Sequence, residues 1–111
     1  MSAMSTYEGA IQIYQILIGA AHNRQVLTYE ILGKMIGVPA RGLAGHLGHL
    51  MHYCQRAGLP PLTVLVVQKN SGKPAKGLTT SKDLHRDREK VFRHDWYGMR
   101  PLTVADLQPN D

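Results

Sequence analysis

Gly37 and Pro39 break the chain between two segments whose apolar residues recur at helical spacing, and this punctuation restricts the possible folds more than any other feature. Ahead of it, Thr28 is a good N-cap for a helix from Tyr29 to Ile36, with Ile31, Leu32, Met35 and Ile36 as its apolar positions. A glycine at 37 can take the left-handed conformation that closes a helix, and the fixed φ of Pro39 suits the first turn of the next one. The sequence therefore predicts two helices joined by a short, sharply bent connection. The second is expected from Ala40 to Ala57, ending at Gly58-Leu59-Pro60-Pro61.

On that second helix Leu43, Leu47, Leu50, Met51 and Cys54 fall within one stripe about 100° wide, as for a helix packed on a core along its length. The other side carries Arg41, Gly42, Gly45, His46, Gly48, His49, His52, Tyr53 and Arg56. Each helical glycine weakens the helix by up to about 1 kcal/mol relative to alanine. Gly42, Gly45 and Gly48 make sense where another backbone must come close. That backbone is either a sugar-phosphate chain or a neighbouring helix or second subunit, and the glycines alone do not choose between them.

The flanking segments complete the predicted fold. Ser5 with Glu8 forms a capping box for a first helix, in which Ala10, Tyr14, Leu17, Ile18 and Ala21 make an apolar stripe widened by Ile11 and Ile13. Leu62 to Val67 reads as a strand, β-branched and apolar on both faces. Lys69-Asn70-Ser71-Gly72-Lys73-Pro74 is turn chemistry, and Ala75 to Leu78 is expected to return as an edge strand. The hairpin tip then carries Lys69, Lys73 and Lys76 with no acid among them. A charged helix from Lys82 to Arg93, capped by Thr80 or Ser81, has Asp83, Asp87 and Lys90 on its solvated side. Trp96 and Tyr97 anchor the tail, and Thr103 with Asp106 starts a last short turn of helix containing Val104 and Leu107.

The result is one α+β domain over residues 1–111: a winged helix-turn-helix-like unit of three N-terminal helices and a short β-hairpin, followed by a C-terminal helical tail. Residues 28–77 form the helix-turn-helix and wing, and residues 79–111 the packing segment. Charge divides along the same line. Through Leu78 there are seven cations against two acids, and beyond it six against six, so the net +5 belongs to the first part. Such an asymmetry favours a polyanionic partner.

Other classes lack their residues. No apolar run approaches the roughly 18 residues of a membrane span, and the first residues lack the basic-then-apolar layout of a secretory signal, which makes a cytoplasmic protein the default. The single cysteine, Cys54, lies in the core stripe and reads as a small buried apolar residue. His46, His49 and His52 are spaced three apart, but these steps rotate through about 120°, so at most two can share an ion. No Cys pair, HExxH pattern or carboxylate cluster completes a metal site, no cofactor motif is present, and no nucleophile has an activating partner.

The order Thr28-Tyr29, Leu32, Ile36-Gly37, Pro39, then Leu59-Pro60-Pro61-Leu62, Val64 to Val67 and Ser71-Gly72 resembles the winged-helix DNA-binding domain of alkylguanine-DNA alkyltransferases and alkyltransferase-like proteins. The likeness covers about half of the chain. In that family a Pro-Cys-His-Arg segment supplies the alkyl-accepting cysteine; here the corresponding positions fall near Val66-Val67-Gln68-Lys69, without Cys or His. The family's recognition helix also carries an arginine that displaces the target nucleotide. Arg41 lies in the matching helix, yet Leu43 stands where a gap-free match from Pro39 places that arginine. The resemblance thus implies a DNA-facing scaffold from which the lesion chemistry is missing.

Three function classes follow. The first is a small non-catalytic protein binding nucleic acid, duplex DNA in particular, through Arg41, His46 and His49 on the helix and Lys69, Lys73 and Lys76 at the wing, all contacting phosphates rather than reading bases. The second is a homo-oligomeric or protein-interaction adaptor, a homodimer for instance, that uses the face of Gly42, Gly45 and Gly48. The third is an enzyme built on the histidines, which no further residue supports.

Overall fold

A computed structural model of the chain describes residues 6–75 and 83–108. The expected first-helix cap at Ser5, the return strand beyond Ala75 with Lys76, and the caps at Thr80 or Ser81 lie outside the described residues. The architecture is α+β, mostly helical, with one two-stranded sheet among the described residues. In order come α1 (Thr6–His22), β1 (Leu27–Thr28), α2 (Tyr29–Ile36), a 3₁₀ turn (Ala40–Gly42), α3 (Leu43–Ala57), a second 3₁₀ turn (Leu62–Leu65), β2 (Val66–Val67), α4 (Leu84–Arg93) and α5 (Val104–Leu107).

α2 has both predicted ends. Thr28 Oγ1 accepts the Ile31 N–H at 3.2 Å, and Gly37 closes the helix at φ 75°. The helix expected from Ala40 starts with a tighter 3₁₀ turn and becomes α-helical at Leu43. Its predicted stripe packs inward: Leu43, Leu47, Leu50 and Cys54 are buried and Met51 is half-buried. Against it lies α1, which buries Ala10, Ile13, Tyr14, Leu17 and Ala21.

The segment Leu62–Val67 departs from expectation. Only Val66 and Val67 are strand, and Leu62–Leu65 turn once as a 3₁₀ helix, all four completely buried. A continuous apolar run has no periodicity to separate a buried strand from a buried helical turn. Here the turn plugs the space between α1, α3 and α4, where a helical arrangement lets consecutive side chains point in several directions. β2 then pairs parallel with β1, Leu27 opposite Val66 and Thr28 opposite Val67, and the crossover that parallel strands need is supplied by α2 and α3.

The C-terminal part clasps this core. Asp83, rather than Thr80 or Ser81, caps α4, accepting the Arg86 N–H at 3.0 Å. Asp87, expected on the solvated side, is buried at 6 % exposure, because the helix presents that flank to the Leu62–Leu65 turn. Trp96 is the anchor, its indole N–H donating to the Val91 carbonyl at 2.8 Å, whereas Tyr97 stays exposed with its ring edge-on to His22. Asp106 accepts from the Thr103 N–H at 2.9 Å and from its hydroxyl at 3.0 Å, so the predicted start of α5 is present. Arg56 of α3 donates to the carbonyls of Asp106 and Leu107, fixing α5 against α3. Arg24, left-handed at φ 55°, closes α1, pairs with Glu89 at 3.1 Å and sits over the Phe92 ring.

Candidate nucleic-acid interface

The basic turn after β2 is built by its own backbone. Gln68 N–H donates to the Lys73 carbonyl and Gly72 N–H to the Gln68 carbonyl, both at 2.8 Å. Gly72 sits at φ 67°, a left-handed conformation that a residue with a Cβ adopts only under strain. Two neighbours hold the turn: Arg88 of α4 donates to the Gly72 carbonyl at 2.8 Å, and the Tyr29 hydroxyl of α2 accepts the Ala75 N–H at 3.1 Å. Lys69 and Lys73 are thereby presented to solvent from a braced loop.

Parallel pairing sets where this loop sits. Val67 lies opposite Thr28, so the chain leaves β2 at the same end of the sheet at which α2 begins. Arg41 follows the other end of α2, after the Gly37–Pro39 turn, on the exposed 3₁₀ turn that leads into α3. Eight residues of helix separate the two ends, about 12 Å at 1.5 Å per residue. Lys34 is exposed on α2 between them. No member of this set, Lys34, Arg41, Lys69 or Lys73, makes an ion pair among the described residues. The cations elsewhere are largely committed: Arg24 and Arg93 to Glu89, Arg100 to Asp106, and Arg56 and Arg88 to backbone carbonyls. Arg86 and Lys90 of α4 are exposed without an ion pair among the described residues, so unpaired charge extends onto that helix as well.

The histidines do not behave as a set. His46, expected on the open face, is 7 % exposed and turned against α1, with neither ring nitrogen hydrogen-bonded. It cannot reach a phosphate. The physical reason is Gly9, whose missing side chain opens a slot in α1 that the imidazole fills; a Cβ there would collide with the ring. Burial, and then nearby His49, lowers the His46 pKa below 6.5, which keeps it neutral. His49 is half-buried, stacked on Tyr7 with ring centroids 4.4 Å apart and 3.1 Å from Thr6 Oγ1 through Nε2. His52 is exposed. No three His, Cys, Asp or Glu side chains among the described residues are placed to hold a metal ion.

Gly42 and Gly45 are exposed and Gly48 half-buried. A Cβ at Gly48 would meet nothing within 4 Å, and one at Gly45 would first meet Thr6 Cγ2 at 3.8 Å. Nothing described within the chain thus requires glycine at either position, whereas Gly9, on the neighbouring helix, and Gly33, beside the Val38 carbonyl, do sit at close approaches. Sequence reasoning passed over Gly9, whose only signal was a glycine inside the apolar stripe of α1. The loop's support from Arg88 and Tyr29 was also illegible, since both contacts join residues distant in sequence.

Among the described residues, no helix is long and apolar enough to cross a membrane. Comparisons with protein-family models, curated proteins and solved structures found no match.

Proposed function

We propose that the chain is a small, non-catalytic DNA-binding module of winged-helix type, in which Arg41 and the turn lysines Lys69 and Lys73 contact the phosphates of a duplex. The observation that carries this reading is the set of exposed cations without ion pairs at the two ends of α2, held by a braced loop and a 3₁₀ turn. Lys34 adds a charge between them, and the sequence adds Lys76. Phosphate contact needs positioned cations and releases counterions, so affinity falls steeply with salt. His49 is at most a peripheral contributor, because Thr6 and Tyr7 already engage it.

The test is fluorescence anisotropy on a labelled generic duplex at several salt concentrations. Binding is expected to weaken steeply with salt, and changing Arg41, Lys69 and Lys73 together to Ala to reduce the slope of log affinity against log salt by about two to three. Absence of binding to duplex at low salt would sink the reading.

A second reading, an adaptor that self-associates through the glycine face of α3, is favoured by one observation: Gly45 and Gly48 border open space. Light scattering separates it. A dimer abolished by Gly45→Leu supports the adaptor, and a wild-type monomer over a wide concentration range counts against self-association.

A further inference from the structure

A cavity of about 250 Å³ lies between α1 and the segment that follows α4, on a part of the molecule that the cationic set does not use. Tyr14, Trp96 and Tyr97 supply aromatic walls, with Ile11, Ile18 and Met99 among the apolar ones. An apolar cavity of about 150 Å³ holds one benzene ring, so this volume suits one or two fused rings. Only two polar side chains other than tyrosines line it, Gln15 and Arg100. The Arg100 guanidinium is committed, with both terminal nitrogens on the Asp106 carboxylate. The lining therefore offers neither an acid to a cation nor an unoccupied base to an anion.

One polar group in the wall is open to a partner. Tyr14 is largely buried, with Trp96 edge-on to its ring at 6.1 Å, and its hydroxyl makes no hydrogen bond among the described residues. Burial pushes its pKa up to about 12, with smaller contributions from Tyr53, Cys54 and Asp106, so the phenol stays protonated and neutral. With no partner among the described residues, the hydroxyl is available to the polar group of a ligand, and that hydrogen bond adds to affinity.

From the aromatic walls, the neutral lining and the unpartnered hydroxyl of Tyr14, we infer that this cavity binds a small uncharged aromatic molecule of one or two rings carrying one hydrogen-bonding group. The rings pack edge-on or offset against Trp96 and Tyr97, the preferred geometry for aromatic pairs, and the polar group meets the Tyr14 hydroxyl. The inference is independent of the nucleic-acid reading.

Trp96 is the chain's only tryptophan, so its indole N–H gives a single reporter resonance in a nitrogen-15 correlation spectrum of the full chain. Indole is the probe, and indene, which has its shape without the N–H, is the control. Indole is expected to shift the Trp96 signal saturably, with a dissociation constant on the order of 1 mM for so small a ligand. Tyr14→Phe preserves the volume and should weaken indole about fivefold while leaving indene unchanged. Ile18→Phe fills the cavity and should weaken both; if that variant does not fold, Tyr14→Phe decides alone. No saturable shift with indole, indole binding indifferent to Tyr14→Phe, or full indene affinity in folded Ile18→Phe would each overturn the proposal. So would indole-3-carboxylate binding far more tightly than indole, because Arg100 would then be an anion site.

Discussion

The imidazole of His46 occupies the space that a side chain on Gly9 would need, so α1 and α3 meet through a ring set into a gap in the facing helix. This contact gives a glycine substitution an unusual sign. Within a helix Gly→Ala ordinarily stabilises by up to about 1 kcal/mol. Gly9→Ala is expected instead to destabilise by about 1–3 kcal/mol through overpacking, read as a lower denaturant midpoint. Pairing it with His46→Ala should recover part of the loss, and the coupling in that double-mutant cycle measures the contact.

The same imidazole ties stability to pH. Burial holds the folded-state pKa of His46 below its usual 6.5, so the unfolded chain takes up this proton first as the solution is acidified. The stability contributed by neutral His46 is present above about pH 6.5 and is lost as pH falls below it. Denaturant midpoints for wild type should drop from pH 7 to pH 5.5. In His46→Leu that drop should be smaller.

A turn glycine and a helix glycine should respond oppositely to alanine. Gly72 is left-handed and its loop is closed by backbone hydrogen bonds, so Gly72→Ala should cost about 1 kcal/mol. Gly48 has helical backbone and open space around a would-be Cβ, so Gly48→Ala should raise stability by about 0.5–1 kcal/mol. Thermal melts of the two variants provide the comparison.

Cys54 is 2 % exposed, and burial pushes its thiol pKa up to about 11. The thiolate is the reactive form, so the native protein should resist iodoacetamide at pH 8 and react readily once guanidinium unfolds it. Mass spectrometry after timed quenching reads the difference; equal rates in both states would show the thiol to be accessible.

The local signals in the sequence carried far. Thr28, Gly37 and Gly58 bound their helices as predicted, and the α1 and α3 stripes identified most of the residues that those two helices bury, because capping and helical periodicity act over a few residues. The strand expected over Leu62–Leu65 failed because an apolar run buried on all sides carries no period. The solvated place given to Asp87 and the open place given to His46 failed for a shared reason. A polar residue's exposure depends on what a distant segment brings against it, here the Leu62–Leu65 turn and Gly9. In the candidate interface Arg41, Lys69 and Lys73 were legible as types and as exposed charges. Their arrangement about α2 follows from a parallel pairing that the Leu62–Val67 pattern did not disclose.

That pairing also bears on how the chain folds. β1 and β2 are only two residues each, and the ring they close contains α2, the Gly37–Pro39 turn, α3 and the Leu62–Leu65 plug. So few ladder contacts cannot offset the entropy of closing so long a loop by themselves. The two helices and the plug are therefore expected to assemble first, with the ladder forming on a scaffold already in place. The basic loop acquires its position relative to α2 only with that closing step.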